Sequence, residues 1–163
     1  MAEIPRMGAA WATLAVSVGG CVAVGLVSGL LTRAEISGWY ATLAKPSFNP
    51  PNWIFGPVWT ALYILMGVAA WLVWQEPVSR LRTLALVCFA VQLALNFLWS
   101  LIFFRWHSIG GALTEIAVLW LAIVLTHVLF FHVHPLAGEL ILPYLAWVSF
   151  ASVLNAAIFR LNR

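Results

Sequence analysis

Gln92, Asn96 and Ser100 follow one another at four-residue steps, so on a helix they share one face, flanked by Trp99 and Phe103. Hydrophobic residues make up 64% of the chain and charged ones 8%, with a mean hydropathy of +1.00. Carboxamides are costly to expose to lipid, so this stripe should point at other helices. There it serves either as hydrogen-bonding glue between helices or as the orienting group for a bound ligand. The spacing leaves both readings open.

Tryptophan is the next outlier, with ten in the chain. Trp11, Trp53, Trp74 and Trp106 fall near the ends of apolar runs, where an indole keeps its ring in hydrocarbon and its N–H in water. Trp59, Trp99, Trp120 and Trp147 fall deeper. A buried indole N–H needs an acceptor, so these four are candidates for a ligand cavity or for helix–helix hydrogen bonds. Trp59, Tyr63 and Met66 share a face, as do Trp147, Ala151 and Asn155, with Pro143 and Tyr144 just before them. The small Ala151 leaves room for a flat ligand or for a close helix contact. Gly25 and Gly29 form a GxxxG pattern, and Gly19 and Gly20 add smooth surface, which suggests close packing or dimerisation.

The ionisable residues argue mostly against catalysis and against a metal. Glu115 lies about a turn and a half into a span and either faces the interior or reaches the headgroups. His127, His132 and His134 sit near a membrane boundary, with His132 and His134 on different sides of a helix, and read as a solvated cap. Cys21 and Cys88 lie in apolar runs and read as small packing residues. No Ser-His-Asp set, phosphate-binding glycine loop or dinucleotide fingerprint is present. The net charge of +3, from eight basic and five acidic residues, is too scattered for a nucleic-acid footprint.

The elements that must position these residues are membrane helices. A soluble domain carries about 25% charged residues, and this chain lacks the polar surface to face water. Five apolar stretches, at about 9–31, 53–75, 83–104, 110–131 and 136–159, each match the ~20 residues that a helix needs to cross the ~30 Å hydrocarbon core. The fold class expected is an all-α integral membrane bundle of five transmembrane helices, one domain over residues 1–163. The N-terminal lead does not resemble a cleaved signal peptide, and the first stretch is expected to stay as a span.

Residues 32–52 form the one long connection, with Arg33, Glu35, Trp39, Tyr40 and the run Lys45-Pro46-Ser47-Phe48-Asn49-Pro50-Pro51. Ser37 to Leu43 suits one short helical piece, and the prolines stop a helix beyond it. Such a loop, in a chain otherwise stripped to its spans, reads as a lid. Arg33, Lys45, Arg105, Arg160 and Arg163 lie on its side of the membrane, against Arg6, Arg80 and Arg82 on the other. That balance places the long loop and the C-terminus in the cytoplasm.

Together these motifs resemble the translocator protein family, also called the tryptophan-rich sensory protein or TspO/MBR family, which includes the peripheral benzodiazepine receptor. Trp39-Tyr40 through Pro50-Pro51, followed by Trp59, is similar to its first loop and second helix. Pro143-Tyr144-Leu145-Ala146-Trp147 with Phe150-Ala151 and Leu154-Asn155 resembles its fifth helix, and Asn96 with Trp99 its third. The resemblance covers nearly the whole chain. It implies a homodimeric five-helix bundle whose first loop closes over a pocket near one membrane face. It implies binding of porphyrins such as protoporphyrin IX, of sterols or other lipids, and of synthetic benzodiazepine-type and isoquinoline carboxamide ligands, with no cofactor required.

Residue by residue, Trp59, Asn96, Trp99, Trp147 and Ala151 match positions lining that pocket, with Tyr40 and Pro50 from the lid; Tyr63 joins them through its shared face with Trp59. Trp59 and Trp147 match the tryptophans associated with light-dependent porphyrin breakdown in bacterial members and are the candidate catalytic residues. The compact form and the lack of a presequence suggest a bacterial host. The family's animal sterol motif places a Tyr where this chain has Ala156, although Phe159 and Arg160 follow. A porphyrin would stack on the indoles, be oriented by Asn96, and present its propionates to Lys45 or Arg33. Three roles follow: ligand-binding sensor or receptor, passive transporter, and photo-oxidative enzyme acting on porphyrin.

Overall fold

The computed structural model describes residues 7–163; Arg6 lies outside them. Six α-helices, α1 (Met7–Ser37), α2 (Trp39–Thr42), α3 (Asn52–Gln75), α4 (Arg80–Ser100), α5 (Ile109–Val133) and α6 (Pro135–Leu161), are joined by short turns. Five are long and apolar enough to cross a membrane. The chain is thus a multi-pass integral membrane protein, and its backbone polar groups are satisfied within each span.

The spans run longer than their apolar cores. α1 continues to Ser37, so Arg33 and Glu35 belong to a helix and not to the connection, which shrinks to residues 38–51. Hydropathy stops at the first charge; helical hydrogen bonding does not. Within the connection only Trp39–Thr42 is helical, shorter than the sequence suggested. Arg82 likewise joins α4, where Ser79 caps the first turn through the Arg82 amide at 3.1 Å. Its guanidinium is buried, donates to the Trp74 carbonyl at 2.6 Å and stacks over the Trp74 ring. A cation on the last carbonyls of α3 suits the negative end of the helix dipole.

The helices close a ring in which α1 lies beside α3, α3 beside α6, α6 beside α5, α5 beside α4, and the end of α4 returns to α1. Lengthwise, the interior divides in two. In the half away from the lid it is solidly packed by Met66, Ile123, Phe130, Ile141, Tyr144 and Val148. Here α1 and α3 touch backbone to backbone: a Cβ on Gly67 would lie 2.5 Å from Val18 Cα, and Ser17 Oγ donates to the Gly67 carbonyl at 2.7 Å. Toward the lid, Tyr40 and Phe103 form a second, smaller cluster, and the centre between the two clusters is open.

Two local irregularities shape that end. α4 passes into a π-helical turn, Leu101–Arg105, in which the Trp106 amide reaches back to the Leu101 carbonyl at 2.9 Å. Such turns insert an extra residue and often mark functional sites. His107 then takes a left-handed backbone, φ 52°, and ends the helix.

Candidate functional site

A cavity of about 420 Å³ occupies the open centre, within the range of small-molecule sites. α1, α3, the end of α4 with its π-turn, and α6 form its walls, and Tyr40 of α2 forms part of the roof. α5 lines none of it; its buried residues pack the solid half and, through Ala112, the smaller cluster toward the lid.

The cavity wall is aromatic. Trp59 and Trp147 meet edge to face, ring centres 6.5 Å apart and planes at 90°. Trp59 also lies 5.7 Å from Tyr63, and Phe55 5.8 Å from Trp147. Across the cavity Trp99 stacks on Phe103 at 5.2 Å, interplanar angle 21°. Phe55, Trp59 and Tyr63 sit at four-residue steps on α3, and Trp147, Ala151 and Asn155 at the same steps on α6, so helical periodicity alone aims both rows inward. Ala151 is the gap in the α6 row, and the cavity fills it.

The polar stripe of α4 separates by depth. Ser100 lines the cavity, while Asn96 and Gln92, 2% and 1% exposed, lie below the floor. Asn96 Oδ1 accepts a 2.6 Å hydrogen bond from the Tyr63 hydroxyl, which ties α3 to α4. Asn96 therefore acts on the cavity through Tyr63 and does not itself form the wall. The Tyr63 ring in turn packs directly on Gly25, where a Cβ would collide with it. Gly29, the second glycine of that pattern, lines the cavity. Within the chain, the GxxxG stretch thus gives one close approach, at Gly25, and one exposed, open position, at Gly29.

Of the other residues singled out from sequence, Arg33 lines the mouth of the cavity. Lys45 does not: its ammonium donates to the carbonyls of Ala41 and Leu43 at 3.4 and 3.1 Å and lies 4.7 Å over the Tyr40 ring. Pro50 also stays off the wall, and its carbonyl accepts from Asn49 Nδ2 at 3.1 Å. Trp120 is away from the cavity; its indole donates to Ser149 Oγ at 2.8 Å, a bond between α5 and α6. Trp11, Trp53, Trp74 and Trp106 are exposed, Trp53 most at 75%. Glu115 turns into the bundle and is buried, with neither oxygen hydrogen-bonded among the described residues. The histidines at 127, 132 and 134 go separate ways. His127 Nδ1 pairs with the Gly138 carbonyl at 2.9 Å, His132 Nδ1 with the Val128 carbonyl at 2.7 Å, and His134 caps α6.

The lid is braced within itself and fastened to the bundle on two sides. Tyr40 donates to Asn49 Oδ1 at 2.7 Å. Asn162, at the end of α6, takes the Ala44 amide at 3.0 Å and gives to the Ala44 carbonyl at 2.9 Å. Trp39 packs edge-on to Phe103 and stacks on His107 at 4.4 Å, and His107 Nε2 reaches Glu35 at 3.0 Å. Burial raises the Tyr40 phenol above its ordinary pKa, so the hydroxyl stays a donor at neutral pH. His107 escaped the sequence reading because it meets Glu35 and Trp39 only through the fold. Phe55 was legible, one turn ahead of Trp59.

Two buried atoms on cavity-lining residues, Trp99 Nε1 and Asn155 Oδ1, have no hydrogen-bond partner among the described residues. The site therefore combines stacking faces with a cation at the mouth. That set suits recognition of a flat amphipathic molecule.

A family profile described as the TspO/MBR family matches residues 17–161. The chain is 46% identical over 154 residues to the tryptophan-rich protein TspO of Chlorobaculum tepidum, covering 92% of this chain and 96% of that one. It is 40% identical over 161 residues to the translocator protein of Homo sapiens, covering 98% and 90%. It is also 40% identical over 152 residues to the tryptophan-rich sensory protein of Cereibacter sphaeroides, covering 93% and 92%.

Proposed function

Since the chain belongs to the TspO/MBR family, we propose that it is a membrane receptor or translocator that binds porphyrins such as protoporphyrin IX in the aromatic cavity. The relatives named translocator and sensory protein support the broader role. The observation that carries the narrower one is the convergence of Trp59, Trp99 and Trp147 on a single cavity. A tetrapyrrole gains from burying both faces against indoles, and its carboxylates offer a complement to Arg33 at the mouth. Asn96 holds Tyr63 in place against the ring.

Quenching of tryptophan fluorescence by protoporphyrin IX tests this reading. Affinity should fall about tenfold or more in the Trp59→Phe, Trp147→Phe double variant, given roughly 0.5–1.5 kcal/mol for each aromatic pairing beyond buried area. Unchanged quenching would overturn it.

A second reading, photo-oxidative breakdown of bound porphyrin, is favoured by the direct contact of Trp59 with Trp147, two oxidisable rings on the ligand's expected face. Under illumination in air, loss of the porphyrin Soret band should then require both tryptophans. Loss at the rate of free porphyrin would leave binding alone.

A further inference from the structure

We propose that the ligand reaches this cavity sideways from the bilayer, through a slit between α1 and α3, and not through the lid. The inference rests on the porphyrin-binding reading and adds the route and the physical state of the ligand, a membrane-partitioned amphiphile. Its basis is the changing contact between the two helices. In the packed half they meet at Gly67 and Val18, and Gly25 carries the Tyr63 ring. Past that point they part. Among the described residues, neither Gly29 nor Gly56 has a heavy atom beyond its own stretch of helix backbone within 4 Å of where a Cβ would stand, yet both line the cavity.

The slit is open to the outside as well as to the cavity. Leu30 is 66% exposed while lining the cavity, and Arg33 on α1 and Asn52 and Thr60 on α3 are likewise both exposed and cavity-lining. These residues lie on membrane-spanning helices, so the face they open onto is lipid, with Arg33 about a turn from the end of α1. Thr60 ties its hydroxyl to the Gly56 carbonyl at 2.9 Å, which leaves the rim without a free polar group at that level. An apolar ring can slide through while its acid groups stay near Arg33 and the headgroups. Opening the lid would instead break the Asn162–Ala44 pair and the stack of Trp39 on His107.

Two reversible cross-links separate the routes, both in a Cys88→Ser background bridged by a bifunctional thiosulfonate. One joins Leu30→Cys to Thr60→Cys across the slit; the other joins Ala44→Cys to Asn162→Cys and locks the lid. Full-length protein in vesicles is mixed with vesicles loaded with protoporphyrin IX, and the rate of tryptophan quenching is followed. The slit cross-link should slow quenching at least tenfold, with recovery on reduction, while the lid cross-link leaves the rate within about twofold. Equal or greater slowing by the lid cross-link, or no slowing by the slit cross-link, would overturn the route while leaving binding intact. Absence of quenching in the unlinked protein would overturn the binding reading and the route together.

Discussion

The Tyr63 hydroxyl donates to Asn96 Oδ1 at 2.6 Å, a bond between α3 and α4 just beneath the cavity floor. Because Tyr63 lines the cavity and Asn96 does not, this one contact transmits the polar stripe of α4 to the site. Tyr63→Phe strands an acceptor that is 2% exposed, and should cost about 1–2 kcal/mol of stability. Thermal unfolding in detergent would show it. Adding Asn96→Leu to Tyr63→Phe should cost less than the two single changes summed, since they share one bond. Strict additivity would mean that the contact carries no coupling.

The two glycines of the GxxxG stretch should respond oppositely to the same methyl group. At Gly25 the methyl meets the Tyr63 ring, so Gly25→Ala should lower the melting temperature by several degrees and weaken ligand binding. At Gly29 the space is open, so Gly29→Ala should leave the melting temperature unchanged within a degree or two. Equal effects at both would contradict the close approach seen only at Gly25.

Ala151 is the small member of the α6 row, half-buried beside the cavity. Ala151→Leu places three extra carbons into space the ring would use. Porphyrin affinity should drop at least tenfold, with helical circular dichroism and melting temperature nearly unaltered. Retained affinity would place the ligand elsewhere.

Tyr40 supplies a pH dependence with a definite sign. Burial raises its phenol above the ordinary 10.0, so in the folded lid the neutral form is favoured. Below pH 10 both folded and unfolded states hold the proton, and the contribution of Tyr40 is constant. Above pH 10 the unfolded phenol ionises first and that contribution is lost as pH climbs toward the folded value. The stability gap between the native protein and Tyr40→Phe should therefore stay level up to about pH 10 and narrow beyond it. A gap that narrowed below pH 9 would contradict a buried, hydrogen-bonded phenol.

Some of this was legible without coordinates. Length and hydropathy sufficed for five spans, because a helix must match the hydrocarbon thickness and satisfy its own backbone. Steps of four were enough to put Trp59 with Tyr63, Trp147 with Ala151, and Gln92 with Asn96 and Ser100, each row on one face. Helix ends were less readable: Arg33, Glu35 and Arg82 look like loop charges in a hydropathy trace, yet hydrogen bonding carries α1 to Ser37 and starts α4 at Arg80.

What the sequence determined by itself was the set of rows; which rows meet was settled by tertiary structure. A helix turns one face inward by composition, but rotation and depth against its neighbours come from packing at points such as Gly67 on Val18. That packing put Asn96 under the floor, Lys45 and Pro50 off the wall and Arg33 at the mouth. It also brought His107 to Glu35 and Trp39 across about 70 residues of chain, a contact no local pattern encodes.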